Sequence, residues 1–299
     1  MQRQLAARLA AAGCPDPAFD ARELLRLVLK ADPRLSAVLL TDAEIQQLAA
    51  LCEKRCSRYP LQYLLGRWPF LDFDLAVGPG VLIPRADTET VCEAAAACIQ
   101  SLAAPAVLDL CAGSGALALG IKRLVPQAEV TALEKSPEAL RYLRQNARTA
   151  LRGPGQFGAM QGGRAAEIAE SWAAPAVMVQ EGDVFCWQET LPPASLDLIV
   201  SNPPYLTGAE MADLQPEVAF EPAMALDGGP DGLIFYRHIA RAYRPALRPG
   251  GALVLEVGWQ QADAVCALLL QNGWQAIETR KDLGGNTRAV LARAPETGG

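Results

Sequence analysis

A doubly wound α/β sheet, preceded by a small helical unit and a β-hairpin linker, is the architecture this 299-residue sequence predicts. Three observations carry the prediction. Beyond Ala106, apolar strand-like runs alternate with helical stretches. The first of those runs ends in a glycine-rich turn that opens a helix. The residues before about Tyr59 carry helical spacing with N-cap signals. With 51% hydrophobic residues, the chain can bury one large core, and a second, smaller unit fits its length.

Residues 1–62 read as short helices gathered into a helical domain. Asp16 followed by Pro17 supplies an N-cap and a first-turn proline, after which Phe19, Leu24, Leu25, Val28 and Leu29 recur at helical spacing. Thr41 and Glu44 form a capping-box pair ahead of Ile45, Leu48 and Leu51. Helices this short are marginal in isolation, so they should pack together. Residues 63–84 change texture to aromatic and β-branched residues broken by glycine and proline: Trp68, Phe70, Phe73 and Val77, then Gly78-Pro79-Gly80. That pattern predicts the hairpin linker.

Residues 85–299 are expected to form the α/β domain. Ala106–Leu110, Glu129–Leu133, Ala176–Val179 and Leu196–Val200 read as buried parallel strands, with Leu253–Val257 as a fifth. Helices fill the intervals, one of them starting at Ser136-Pro137-Glu138, cap then proline. Ala276–Thr279 and Arg288–Leu291, around Gly284-Gly285-Asn286, predict a closing antiparallel hairpin. Arg152 to Gly163 is glycine-rich without periodicity and is expected to be a flexible loop.

The formal net charge is −6, and no run of Lys or Arg would track a phosphate backbone, which disfavours nucleic acid as the main partner. No apolar run approaches the ~20 residues needed to cross a bilayer. Met1-Gln2-Arg3-Gln4 lacks the apolar core of a signal peptide; Arg3 and Arg8, with no acid before Asp16, faintly resemble a transit peptide but suit an ordinary first helix. The eight cysteines are scattered, which fits a reducing cytosol. Cys52 and Cys56 stand four apart, yet with His238 as the only histidine and no second cysteine pair at ligand spacing, buried thiols are expected and no metal. His238 lies in an apolar helical stretch that suits a structural role.

The chemistry should gather at two places. Asp109-Leu110-Cys111-Ala112-Gly113-Ser114-Gly115 follows the first strand of the sheet; its glycines let the backbone approach a ligand, and amides at a helix N-terminus favour a carboxylate or phosphate. Together with Ala118 this satisfies a loose dinucleotide fingerprint, and Glu134 ends the next strand, where an acid grips ribose hydroxyls. From this loop alone, a nicotinamide-dependent dehydrogenase stays open. The second place is Asn202-Pro203-Pro204-Tyr205, after the fourth strand, which the topology brings to the same crevice.

An amide nitrogen is a weak nucleophile because its lone pair is delocalised. Acceptors aimed at its N–H groups relieve that conjugation and stabilise the positive charge that develops on nitrogen. The Asn202 side-chain oxygen and the Pro203 carbonyl supply two such acceptors, and the prolines fix their aim. Tyr205 offers a ring face for a flat amide, near which a sulfonium cation is favoured. The tetrapeptide therefore points to methyl transfer onto a planar nitrogen.

From about Tyr63 to the last strand the chain resembles the bacterial release-factor glutamine methyltransferases. The likeness rests on Tyr63-Leu64-Leu65-Gly66, on Val81-Leu82-Ile83-Pro84-Arg85 with Thr88-Glu89, and on Asn202 to Tyr205. It continues through Phe220-Glu221-Pro222, Ala225-Leu226-Asp227-Gly228-Gly229, Asp231-Gly232-Leu233 with Tyr236-Arg237, and Leu255-Glu256-Val257-Gly258 with Gln260. It implies a Rossmann-like S-adenosylmethionine-dependent methyltransferase sheet behind a small N-terminal helical domain. It also implies methylation of the glutamine side-chain nitrogen in the Gly-Gly-Gln motif of class-1 peptide chain release factors.

Carried over by position, the resemblance implies that Asp109, Cys111, Ala112, Gly113, Ser114 and Gly115 hold the methionine part of the donor, Glu134 its ribose, and Asp183 with Val184 its adenine side. Asn202, Pro203, Pro204 and Tyr205 would hold the glutamine, with Asn202 bordering the donor and Asn202, Pro203 and Tyr205 taking part in catalysis. The helical domain would dock the release factor. The chain departs from the family pattern at Pro84-Arg85-Ala86-Asp87, where Pro-Glu usually follows the arginine, and at Glu134, where aspartate is usual. The rival readings are a glutamine methyltransferase of a ribosomal protein, a DNA adenine-amine methyltransferase, and a donor-binding scaffold without catalysis.

Overall fold

A computed structural model describes residues 1–30, 39–151 and 176–296. The glycine-rich stretch from Arg152 to Gly163, expected to be a loop, lies outside the described residues.

The N-terminal helices are α1 (Gln2–Ala11), α2 (Pro17–Leu29), α3 (Asp42–Cys56) and α4 (Leu61–Leu65). Each predicted cap forms. Asp16 accepts from the Phe19 amide at 3.1 Å, and Thr41 and Glu44 bond reciprocally at 2.8 and 3.3 Å. The helices close on a core of their own that includes the fully buried Leu9, Leu24 and Cys52. Helix α4 takes in Tyr63, Leu64 and Leu65, and the chain turns at Gly66 into β1 (Arg67–Phe70) and β2 (Phe73–Ala76), an antiparallel hairpin pairing Phe70 with Phe73.

The larger sheet has seven strands: β3 (Ala106–Leu110), β4 (Glu129–Glu134), β5 (Met178–Glu181), β6 (Leu196–Ser201), β7 (Leu247–Glu256), β8 (Gln275–Lys281) and β9 (Thr287–Arg293). Their order is β5-β4-β3-β6-β7-β9-β8; the first five are parallel, and β9 and β8 run antiparallel. Successive side chains of one strand enter opposite layers. Val107, Leu198, Val200, Ala252 and Val254 join one core, while Leu108, Leu110, Ile199, Leu253 and Leu255 join the other. Both faces are buried, which is why these strands read as unbroken apolar runs. Helices α5 (Asp87–Ile99), α6 (Ala116–Leu124) and α7 (Pro137–Thr149) cover the first face; α8 (Ile234–Ala242) and α9 (Ala262–Gln271) cover the second.

β8 and β9 each run two residues past the expected Thr279 and Leu291, and β5 and β7 differ in ways that have a physical cause. β5 starts two residues later than predicted and ends on Gln180 and Glu181, because an edge strand with exposed residues has no apolar pattern to read. β7 begins at Leu247, well before Leu253, since its first half pairs with β6 at Leu196 although Pro249-Gly250-Gly251 reads as a turn. Among the described residues no helix is long and apolar enough to cross a membrane.

The direction of winding reverses at β3, which has β4 on one side and β6 on the other. A crevice forms outside the carboxyl ends of strands at such a switch point. Both predicted chemical motifs leave the sheet there, one after β3 and one after β6.

Candidate active site

After Leu110 the backbone folds tightly: Cys111, Gly113 and Gly115 take φ of +60°, +56° and +89°. The Gly115 amide donates to the Ala112 carbonyl at 2.7 Å, and the Ala112 amide to Leu133 on the neighbouring strand at 3.0 Å. Position 115 has no room for a side chain, since a Cβ there would stand 2.7 Å from Leu143. Asn146 on α7 fixes the turn from outside, donating to the Ser114 carbonyl at 2.9 Å while accepting from the Ala76 amide at 2.8 Å. One buried carboxamide thus joins the hairpin to the glycine turn.

Asp109, 1% exposed, accepts from the Ala118 amide at 3.0 Å through Oδ2, while its Oδ1 has no partner among the described residues. Burial pushes this carboxyl well above the usual range, with the Ala118 bond opposing and Glu134 adding to the rise. Glu134 is held by three backbone amides, from Gly113 at 2.8 Å, Lys135 at 2.8 Å and Ser136 at 2.7 Å. Asp183 follows β5 and accepts from Lys135 Nζ at 2.7 Å and from the Phe185 amide at 3.0 Å. Burial pushes its carboxyl up, but the Lys135 and Phe185 bonds outweigh it and hold the group below its ordinary value.

These residues border one cleft, lined in part by Asp109, Gly113, Glu134, Asp183, Asn202 and Pro204. Cys111, Ala112, Ser114 and Val184 also face it. Gly115, Pro203 and Tyr205 do not: Gly115 heads α6, Pro203 is buried, and Tyr205 packs against the second core. His238 stands outside the lining, against Phe185 and Tyr243.

The Asn202 carboxamide has no hydrogen-bond partner among the described residues, so its oxygen is uncommitted. By contrast, the backbone around it is tightly held. Ser201 Oγ donates to the Leu110 carbonyl at 2.7 Å, and Gln261 Nε2 to the Tyr205 carbonyl at 2.8 Å. Gln261, not the exposed Gln260 of the sequence motif, makes this contact. Gly232 packs on the same carbonyl so closely that a Cβ would lie 2.4 Å from it. Burial pushes the Tyr205 hydroxyl up to about 12, helped by Glu256 and opposed by Arg288.

The linker supplies another wall of the cleft. Tyr63 donates to the Val81 carbonyl at 2.6 Å, and buried Glu221 accepts from the Ile83 amide at 2.9 Å and from Arg85. Thr88 donates to Glu256 at 2.7 Å, and Glu89 accepts from the Leu71 amide in the hairpin turn at 2.8 Å. The linker residues singled out in the sequence thus lock the hairpin and the post-tetrapeptide segment to the sheet. Asn146, Lys135 and Gln261 had no local signal, because their partners are remote in sequence.

The cradle fits a methionine-derived sulfonium donor on its own terms. An orphaned carboxyl oxygen suits an ammonium, and a glycine turn at a helix start suits a carboxylate. Acids at the ends of β4 and after β5 suit a nucleoside, and Val184 and Phe185 give it an apolar flank.

Comparison with known proteins agrees. The family described as "PrmC N-terminal domain" matches residues 1–66, and "Methyltransferase small domain" matches residues 88–162. A release factor glutamine methyltransferase of Deinococcus radiodurans is 39% identical across 97% of this chain and 96% of its own length. Relatives of the same name from Rhodospirillum rubrum and Geobacter sulfurreducens are each 38% identical, across 97% and 85% of this chain and 83% and 80% of their own lengths. With an uncommitted asparagine and the glycine turn lining one cleft, and near full-length identity of this order, the chain belongs to the release factor glutamine methyltransferase family.

Proposed function

We propose that the chain transfers a methyl group from S-adenosylmethionine to the side-chain amide nitrogen of the glutamine in the Gly-Gly-Gln motif of class-1 peptide chain release factors, in the cytosol. The observation that carries this reading is that Asn202, with its carboxamide free, lines the same cleft as Asp109, Gly113 and Glu134. Donor and acceptor groups therefore share one space, walled by the linker on one side and by Pro222 to Ala225 on another.

Asp109 and residues Cys111 to Ser114 hold the methionine part of the donor, Glu134 its ribose, and Asp183 with Val184 its adenine side. When bound, the donor supplies an electrophilic methyl group. Asn202 Oδ1, which faces the cleft, accepts a hydrogen bond from the target amide, localises its lone pair, and stabilises the charge that develops as the N–C bond forms. The S–CH3 bond breaks as the N–C bond forms, its electron pair returning to sulfur to leave a neutral thioether, and the nitrogen gives up one N–H proton to water. Pro203 and Pro204 fix that acceptor in advance, and Tyr205, packed on the second core with its carbonyl held by Gln261, anchors the tetrapeptide. Residues 1–62 dock the release factor; no basic run in the sequence calls for nucleic acid.

The test is incubation with isotopically labelled S-adenosylmethionine and an unmethylated release factor, followed by peptide mass mapping. One added methyl on the Gly-Gly-Gln glutamine is expected. Label on another residue, or no transfer by protein that binds the donor, contradicts the reading.

A further inference from the structure

Four charged side chains join the helical unit to the segment that follows the tetrapeptide. Arg55, on the last turn of α3, donates from Nε to Asp20 at 2.7 Å and from Nη2 to Glu217 at 2.9 Å. Arg58 closes a two-pronged contact on the same acid, with Nε to Oε1 at 2.7 Å and Nη2 to Oε2 at 2.6 Å. Both Glu217 oxygens therefore accept from arginine, Oε1 from both side chains and Oε2 from Arg58. The Arg55 and Asp20 side chains are 4% and 6% exposed and Glu217 is 19% exposed, so this is not a solvated surface pair of negligible effect. Arg58 makes its contact from a φ of +66°, a conformation unfavourable for an L residue, which its surroundings must impose.

The connection continues toward the cleft. Tyr59 meets the ring of Phe220 edge-on at 5.2 Å. Glu221 bonds the Ile83 amide, at the end of the linker, and Arg85 just beyond it, and Pro222, Met224 and Ala225 face the cleft. The Leu226 carbonyl then accepts from the Leu206 amide at 2.8 Å, one residue past Tyr205. An unbroken series of contacts thus runs from α3 to the tetrapeptide.

We infer that Glu217 is a positioning residue, a latch by which the N-terminal helical unit sets the acceptor-side wall of the cleft. It touches neither donor nor target. Neutralising it leaves Arg58 without its carboxylate and Arg55 with only Asp20 and the Tyr59 carbonyl, so the segment from Leu206 to Leu226 loses its tether while the donor turn, fixed separately by Asn146, keeps its own. The helical unit would then act on the reaction as well as on docking. This rests on the proposed function, which names the protein substrate.

The test compares wild type with Glu217→Gln, Glu217→Asp and Arg58→Gln. Donor affinity is measured by calorimetry, steady-state methylation on an intact release factor and on a short Gly-Gly-Gln peptide, and backbone hydrogen exchange across residues 206–226 and 109–118. In Glu217→Gln, kcat/KM should fall about tenfold on both substrates, as expected for a lost charged hydrogen bond, with donor Kd within about twofold. Exchange should rise in 206–226 alone, Arg58→Gln should reproduce the pattern, and Glu217→Asp should recover part of the activity. Loss on the intact factor but not on the peptide would make Glu217 a docking residue and overturn the latch. Wild-type turnover and exchange, or a parallel loss of donor affinity, would overturn it as well. If the wild-type protein does not methylate a release factor, the proposed function fails, and the exchange comparison still decides the latch.

Discussion

Glu256→Gln should make the protein more stable in mild alkali and leave its stability almost unchanged in mild acid. Glu256 ends β7 at 1% exposure, with Oε2 accepting from Thr88. Burial pushes the carboxyl from its ordinary 4.5 up to about 7, with Thr88 and Arg288 opposing that rise. The folded protein thus keeps a proton that the unfolded chain has lost. The stability linked to this group is fully present below about 4.5, declines as pH rises, and is gone above about 7. Raising the carboxyl from 4.5 to about 7 corresponds, at ~1.4 kcal/mol per pH unit, to roughly 3 kcal/mol. Glutamine is neutral throughout, and its oxygen still accepts from Thr88. Urea unfolding at pH 4 and pH 8 measures the difference; the variant should gain up to about 3 kcal/mol over wild type at pH 8 and little at pH 4. An equal difference at both pH values, or a wild type that is the more stable at pH 8, would refute the account.

Gly232→Ala forces a Cβ to within 2.4 Å of the Tyr205 carbonyl at a φ of +71°, so it should cost about 1–3 kcal/mol in urea unfolding and lower turnover more than donor affinity. Glu134→Ala removes the acceptor that serves the Gly113, Lys135 and Ser136 amides and should weaken donor binding at least about tenfold by calorimetry; unchanged affinity would remove Glu134 from the donor site. Deleting residues 1–60 should preserve donor binding yet lower kcat/KM on an intact release factor, and unchanged kinetics would refute a docking role.

What the sequence reveals depends on how local the cause is. The starts of α2, α3 and α7 are readable because the capping side chain lies within three residues of the amide it serves. β3 and β6 are readable because both faces of the sheet are covered, so every residue of the strand is selected for apolarity. β5 loses that signal at the sheet edge, and the first half of β7 hides it behind a proline and two glycines. The tetrapeptide and the glycine turn stand out since each concentrates its chemistry in a few adjacent residues. That Asn202 and Pro204 line the cleft while Pro203 and Tyr205 do not is a matter of tertiary packing, in which Gly232 and Gln261 hold the Tyr205 carbonyl. Asn146, Gln261 and Glu217 carry no local mark either, because each reaches a partner on a remote segment.

The central claim, that one cleft holds the donor by its glycine turn and the target amide by Asn202, is tested most directly in a single preparation of folded Asn202→Ala. Donor affinity and turnover on an unmethylated release factor are measured side by side. Since the Asn202 carboxamide serves no protein partner among the described residues, donor Kd should stay within about twofold while kcat falls at least about 100-fold. Turnover that survives the substitution, or donor binding lost in step with it, would contradict the claim.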